Sequence, residues 1–273
     1  MVVQKEFQMG EYSPGSEAPF YIDLDGETEL FKAAYVQKLP VLLKGPTGCG
    51  KTRFVTRMAH DLQRPYIIVP CHEDLSADDL VGRFKMDGTF QPGAAHMAIT
   101  KGCILDLDEV AEARNDTTVI IHPLSDDRRE LVVEKLGVVL RAPDNFMLVM
   151  SYNPGYQSVT KDLKQSTKQR FVAIEFGYAP RDLEMKIVQA ESGVNEDMAG
   201  YLVEIGHGFR NYKGSGLSEG ASTRLLINAG KLMRQGVSPL VACRAAILHP
   251  ITDAHDSATR QGLDNVITSC LPK

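Results

Sequence analysis

The chain has 273 residues, 43% of them hydrophobic and 24% charged, with a formal net charge of −5. That balance supports one large core or two small ones and excludes a disordered chain, a collagen-like repeat and a disulfide scaffold. The acidic total argues against a protein that wraps nucleic acid by charge, and no apolar run approaches the roughly 20 residues that span a bilayer.

Residues 1–20 read as an acidic leader: before residue 30, Glu6, Glu11, Glu17, Asp23, Asp25, Glu27 and Glu29 face only Lys5. Such a composition belongs to a solvated arm rather than a signal peptide. Up to about residue 178, apolar or β-branched runs then alternate with helical stretches. LPVLLKG (39–45), PYIIVPC (65–71), GCILDLDEV (102–110), FMLVMSYN (146–153) and RFVAIEFGY (170–178) predict five buried strands of a parallel sheet. Between the first two, Phe54, Met58 and Leu62 form one stripe of a crossover helix. Residues 111–145 break this rhythm, because Leu131–Val133 and Val138–Leu140, joined by EKLG, predict a hairpin inserted before the fourth core strand.

After Pro180 the strand signal fades. Segments 181–192, 195–207, 222–235, 239–248 and 256–270 have helical spacing, with Asp182, Asn195, Ser222 and Ser238 near starts and Gly193, Gly208 and Gly236 near ends. The expected fold is α/β: a nucleotide-binding domain over 21–178 with a five-stranded parallel sheet, followed by a small all-helical domain over 179–273. Cys49, Cys71, Cys103, Cys243 and Cys270 are odd in number and scattered, as expected of reduced thiols in a cytoplasmic protein.

The strongest motif is Gly45-Pro46-Thr47-Gly48-Cys49-Gly50-Lys51-Thr52, a complete phosphate loop between a strand and a helix. Backbone amides can surround phosphate oxygens only where glycines permit positive φ and close approach, and the helix N-terminus adds its own unpaired N–H groups. Lys51 supplies a mobile positive charge to the β- and γ-phosphates of ATP, and the Thr52 hydroxyl is a hard ligand for Mg²⁺. The run Ile104-Leu105-Asp106-Leu107-Asp108-Glu109 carries adjacent acids to a strand end at the carboxyl edge of the sheet. Asp108 is the expected Mg²⁺ ligand and Glu109 the group that polarises an attacking water. Asn153, at the tip of a neighbouring strand, can orient that water, although Asn before Pro-Gly is also ordinary turn chemistry. Asp106 shares a face with Asp108 where an apolar residue is expected, and no role follows for it.

Loop, acidic strand end, strand-terminal Asn and trailing helices together resemble an AAA+ ATPase of the MoxR branch. The stretch LDEVAEARNDTTVIIHPLSDDRREL (107–131) is similar to the CbbQ/NorQ group, nearest to the CbbQ form, and the resemblance runs over about 20–270. It implies a homo-hexamer with ATP between subunits and a target enzyme approached through a von Willebrand A-domain adaptor of the CbbO type. The target on the CbbQ side is inhibited Rubisco, which is freed of tight-binding sugar phosphates; on the NorQ side it is nitric oxide reductase during maturation. No nucleic acid or membrane partner is implied. Arg170 matches the arginine finger given to a neighbouring subunit, or else caps a helix at the surface, and Arg128 and Arg129 are alternatives for that intersubunit role. Arg224 matches the sensor-2 arginine of the helical lid. Residues 79–98 match the helix-2 insert of the branch and 129–141 its hairpin insert, while Phe84 and Phe90 are either local packing or substrate grips.

Two other classes stay in view. A small-molecule kinase on the same loop needs an acceptor pocket and an arginine-rich lid, and Asp108-Glu109 with Asn153 suits water attack better. A nucleotide-gated module that barely hydrolyses has little use for Glu109.

Overall fold

A computed structural model describes residues 9–10, 17–154, 163–212, 220–252 and 257–272. Most of the expected acidic leader, 1–8 and 11–16, lies outside the described residues. The chain divides into two compact units: Met1–Pro19, Asp25–Lys44 and Lys51–Glu175 form one, and Phe20–Leu24, Gly45–Gly50 and Phe176–Lys273 form the other.

In the first unit the elements run β1 (Met9–Gly10), α1 (Glu27–Val36), β2 (Val41–Lys44), α2 (Lys51–Asp61), β3 (Tyr66–Pro70), α3 (Ala77–Val81), β4 (Gly82–Phe84), β5 (Phe90–Pro92) and α4 (Ala94–Lys101). They continue with β6 (Ile104–Asp108), α5 (Asn115–Ile120), β7 (Glu130–Val133), β8 (Val138–Arg141), β9 (Met147–Tyr152), α6 (Gln165–Lys168) and β10 (Val172–Glu175). The main sheet has the order β1-β3-β6-β9-β2-β10. Its five parallel strands are the five apolar runs read from the sequence, and the two-residue β1 adds an antiparallel edge on β3.

Alternation sorts the strand residues onto two faces. Leu42, Ile67, Val69, Leu105, Leu107, Leu148 and Met150 share a core with Leu80, Ala94 and Ala98 of α3 and α4 and with Leu131 and Val133 of β7. On the opposite face lie the buried Val41, Leu43, Ile104 and Val149, together with Asp106. There α2 runs beside β6, and its Phe54 meets Phe31 of α1 edge to face at 5.3 Å. Helix α2 ends at Asp61, and Leu62 just beyond still donates its N–H to the Met58 carbonyl at 2.9 Å.

The hairpin β7–β8 pairs Glu130 with Arg141 and Val133 with Val138, where the sequence places it. Only one side docks: Leu131 and Val133 are buried while Val132, Val138 and Val139 are exposed. Between α3 and α4, β4 and β5 form a small hairpin in which Phe84 and Phe90 pack edge to face at 5.4 Å.

The second unit contains α7 (Arg181–Ser192), α8 (Glu196–Arg210), α9 (Thr223–Arg234), α10 (Pro239–Cys243), α11 (His249–Ile251) and α12 (Ser257–Cys270). Val188, Leu202, Ile205, Phe209, Leu226, Ile247, Leu263 and Ile267 are buried in its core. Asn195 caps α8 by accepting from the Met198 amide, and Gly193 ends α7 in left-handed backbone.

Two boundaries differ from the sequence reading. Gly208 does not end α8, which runs on to Arg210; a Cβ at Gly208 would lie 2.5 Å from Cγ1 of Val266, so glycine serves close packing against α12. The expected helix over 239–248 becomes a π-helical turn at Arg244–Leu248. Pro250 follows within α11 and withdraws the N–H that a regular helix would donate four residues back. Among the described residues no helix is long and apolar enough to cross a membrane.

Candidate functional site

The carboxyl end of β6 is where the sheet unit gathers charge. Lys51, 6% exposed in the first turn of α2, brings Nζ to 4.0 Å from Oε1 of Glu109, the first residue past β6. Glu109 stands in left-handed backbone at φ 53°, costly for a residue with a Cβ, and its amide donates to Ser151 Oγ at 3.3 Å. Ser151 Oγ in turn donates to Oδ1 of Asp108, so one hydroxyl of β9 orients both acids. Burial raises the Glu109 carboxyl above its ordinary range; the Lys51 charge and the Asn153 amide oppose that rise and Asp108 adds to it. Asn153, just past β9, is buried beside this group.

Asp106 lies one alternation back and is wholly buried. Neither of its carboxylate oxygens has a hydrogen-bond partner among the described residues. Burial pushes its carboxyl well above the ordinary value, Asp108 adds to the rise and Lys51 subtracts from it. Burial, with Asp106, Asp108 and Glu109 nearby, likewise pushes the Cys71 thiol up to about 12. A thiol so held is no nucleophile.

The glycines of the phosphate loop belong to the helical unit. Gly48 and Gly50 have φ of 68° and 107°. A Cβ at Gly48 would fall 2.7 Å from Ser222 Oγ and 3.1 Å from Cβ of Arg224, so the loop packs directly on the start of α9. A Cβ at Gly45 would lie 2.5 Å from the Phe176 carbonyl oxygen, and Tyr178 donates its hydroxyl to the Thr47 carbonyl at 3.2 Å. Around Gly50, by contrast, an added Cβ would meet nothing within 4 Å. Pro46 and Cys49 complete this part of the loop, partly buried.

Arg170 belongs to a different group. It is exposed and donates to the Ser166 carbonyl of α6, and its charge acts on His122 and Asp126. His122 Nε2 lies 3.1 Å from Thr167 Oγ1, which ties the segment 122–126 to α6. Arg128 is engaged by Asp126, at 2.6 Å from Nη2 to Oδ2. Arg129 gives its guanidinium to the carbonyls of Lys38, Pro143 and Phe146 at 2.8, 3.0 and 3.0 Å. It braces the turn before β9 within its own chain.

Residues 40–171 match the AAA domain of the dynein-related subfamily, and residues 184–270 match the CbbQ/NirQ/NorQ C-terminal domain. Protein CbbQ of Hydrogenophilus thermoluteolus is 53% identical over 241 residues, which cover 87% of this chain and 90% of that protein. The chain belongs to the CbbQ/NirQ/NorQ family. Protein NorQ of Paracoccus denitrificans (strain Pd 1222) is 48% identical over 250 residues, covering 90% of this chain and 92% of that protein. The P216G mutant of Thermotoga maritima RuvB has a TM-score of 0.56, covering 91% of this chain and 70% of that one at 15% identity, which shows a shared AAA fold.

This CbbQ/NirQ/NorQ-family protein is therefore an AAA ATPase that binds nucleotide. Its residues also fit a divalent cation. Mg²⁺ needs only one or two protein oxygens beside water and phosphate, and the Asp108 carboxylate, anchored by Ser151, and the Thr52 hydroxyl in the first turn of α2 are hard donors of that kind. Sequence reasoning missed Ser151 and Tyr178. Ser151 was visible as the one serine in the apolar run of β9, and the register that sets Met150 beside Leu107 carries it to Asp108.

Proposed function

We propose that this ATPase works as a ring hexamer, with ATP between subunits, to remodel a partner enzyme. Residues 21–178 are its nucleotide-binding domain and 179–273 its helical lid. The amides of Gly45–Gly50 with Lys51 cradle the phosphates, and Arg224 of α9 reaches them as sensor 2. Thr52 and Asp108 would hold Mg²⁺, which would supply positive charge against the phosphates. Glu109 takes the proton of a water that Asn153 orients, and Arg170 of an adjacent subunit balances the charge that develops.

The observation that carries this reading is the 4.0 Å approach of Lys51 to Glu109, which puts a phosphate-binding cation and a base of raised pKa at one strand end. A kinase would need an acceptor pocket and an arginine-rich lid beside the phosphates, and Asp108-Glu109 with Asn153 suits water attack better. For the target, 53% identity to CbbQ supports Rubisco activation through a CbbO-type von Willebrand A-domain adaptor. The 48% identity to NorQ supports a second reading, maturation of nitric oxide reductase by the same engine.

Glu109→Gln is expected to retain ATP while phosphate release falls by about 10² to 10⁴; unchanged turnover would remove Glu109 from the chemistry. The same variant is the trap for the target. A pull-down from the native host with ATP should capture a von Willebrand A-domain protein together with Rubisco, and capture of nitric oxide reductase components selects the second reading. Arg170→Ala should bind ATP normally yet poison wild-type subunits in mixed rings, and a full-rate mixed ring would move the finger to another arginine.

A further inference from the structure

The helical unit contains a buried polar chain that the nucleotide chemistry above does not use. Glu184 of α7 has no exposed surface. Its two carboxylate oxygens accept Nη1 and Nη2 of Arg210, from α8, at 2.7 Å each, and Oε1 also accepts the hydroxyl of Thr223 at 2.5 Å. His207 Nε2 lies 3.7 Å from the other oxygen. Arg210 Nε also donates to the Ala221 carbonyl at 2.8 Å.

The chain has two ends, and both reach the phosphate loop. At one, the Arg210 guanidinium stacks 3.9 Å from the centre of the Tyr178 ring, whose hydroxyl donates to the Thr47 carbonyl. At the other, Thr223 is the first residue of α9, between Ser222 and Arg224, and those two are the residues a Cβ at Gly48 would strike. Thr47 and Gly48 are adjacent. One guanidinium therefore fixes the loop at Thr47 through an aromatic ring and, through a carboxylate, fixes the helix start that abuts Gly48.

Simple core filling does not call for this arrangement. Burying a carboxylate and a guanidinium is costly, and an apolar set of similar volume commonly serves stability as well or better. What a bidentate, stacked and capped arginine adds is a fixed direction.

We infer that Tyr178, Arg210, Glu184 and Thr223 are positioning residues that lock the phosphate loop to the first turn of α9, so that nucleotide on the loop and the placement of Arg224 are coupled. The inference rests on the nucleotide reading of residues 45–52 given above. The four act through Thr47 and the start of α9 that carries Arg224.

The test uses the full chain, with ATP affinity measured by displacement of a fluorescent ADP, steady-state phosphate release, and amide hydrogen exchange over 222–226 with and without nucleotide. Tyr178→Phe keeps the ring under Arg210 and removes only the hydroxyl. It is expected to raise KM for ATP about two- to ten-fold, with kcat changed by less than about two-fold. The urea midpoint should stay where it is, and nucleotide should no longer protect the amides of 222–226. Thr223→Val opens the other end of the chain, and in the double variant KM should rise by less than the product of the two single effects. An unchanged KM with unchanged protection in Tyr178→Phe overturns the coupling, as do single effects that simply multiply. A different result separates the underlying reading: if Lys51→Ala binds ATP as well as the wild type, the phosphate assignment of the loop fails, and the coupling with it.

Discussion

Among the described residues two carboxylates, Glu184 and Asp106, have no exposed surface, and their surroundings are opposite. Glu184, among the helices of the second unit, is met by a forked arginine, a threonine hydroxyl and a nearby histidine. Asp106, in the middle of the sheet, has no hydrogen-bond partner among the described residues for either oxygen, and its strand neighbours are Ile68 and Val149. Burial alone therefore says little about an acid. A matched set of donors makes the buried charge a directional clamp, whereas desolvation without such donors favours the protonated form of the acid.

The contrast breaks first at Glu184. Glu184→Gln removes the charge and leaves the Arg210 guanidinium, only 14% exposed, with an amide in place of its counter-ion. Breaking one partner of a buried pair costs about 3–5 kcal/mol, measurable as a drop in unfolding free energy in urea. Replacing both partners, as in Glu184→Leu with Arg210→Met, should recover most of that loss while leaving the ATP affinity impaired. If the single change costs less than about 1 kcal/mol, the pair is solvated and the contrast with Asp106 is false.

The two sites were not equally legible in the sequence. The phosphate loop, the acids at 108 and 109 and the five parallel strands all declare themselves through local pattern: a glycine spacing, an apolar run ending in charge, a turn. Each works through neighbours in the chain, so a window of a few residues carries the signal. The clamp at Glu184 joins residues 26 and 39 positions apart, and Glu184, Arg210 and Thr223 each look like ordinary members of polar helix faces. Likewise Ser151, at the end of an apolar strand, gains meaning only from the register that brings it to Asp108. Gly208 misled for the same reason, since its glycine answers Val266 on another helix rather than a helix end. Asp106 was visible as an anomaly by alternation, but only its lack of a hydrogen-bond partner among the described residues says what kind.

Those surroundings make a finer prediction. A carboxyl whose folded pKa is raised above that of the unfolded chain keeps its proton in the native state over a pH window in which the unfolded state has already lost it. Unfolding then releases that proton, so the Asp106 contribution to stability is complete below the ordinary carboxylate range and shrinks as pH rises toward the raised value. The slope is about 1.4 kcal/mol per pH unit for one full proton. Asp106→Asn, neutral and of nearly the same shape, removes that slope and no other. Urea unfolding of the two proteins from pH 5 upward should therefore give curves that separate steadily, the variant gaining on the wild type with each step until the native carboxyl itself ionises. Parallel curves would mean that Asp106 is ionised in the folded chain. It would then have to hold a counter-charge as good as the one at Glu184, and the distinction between the two buried acids would disappear.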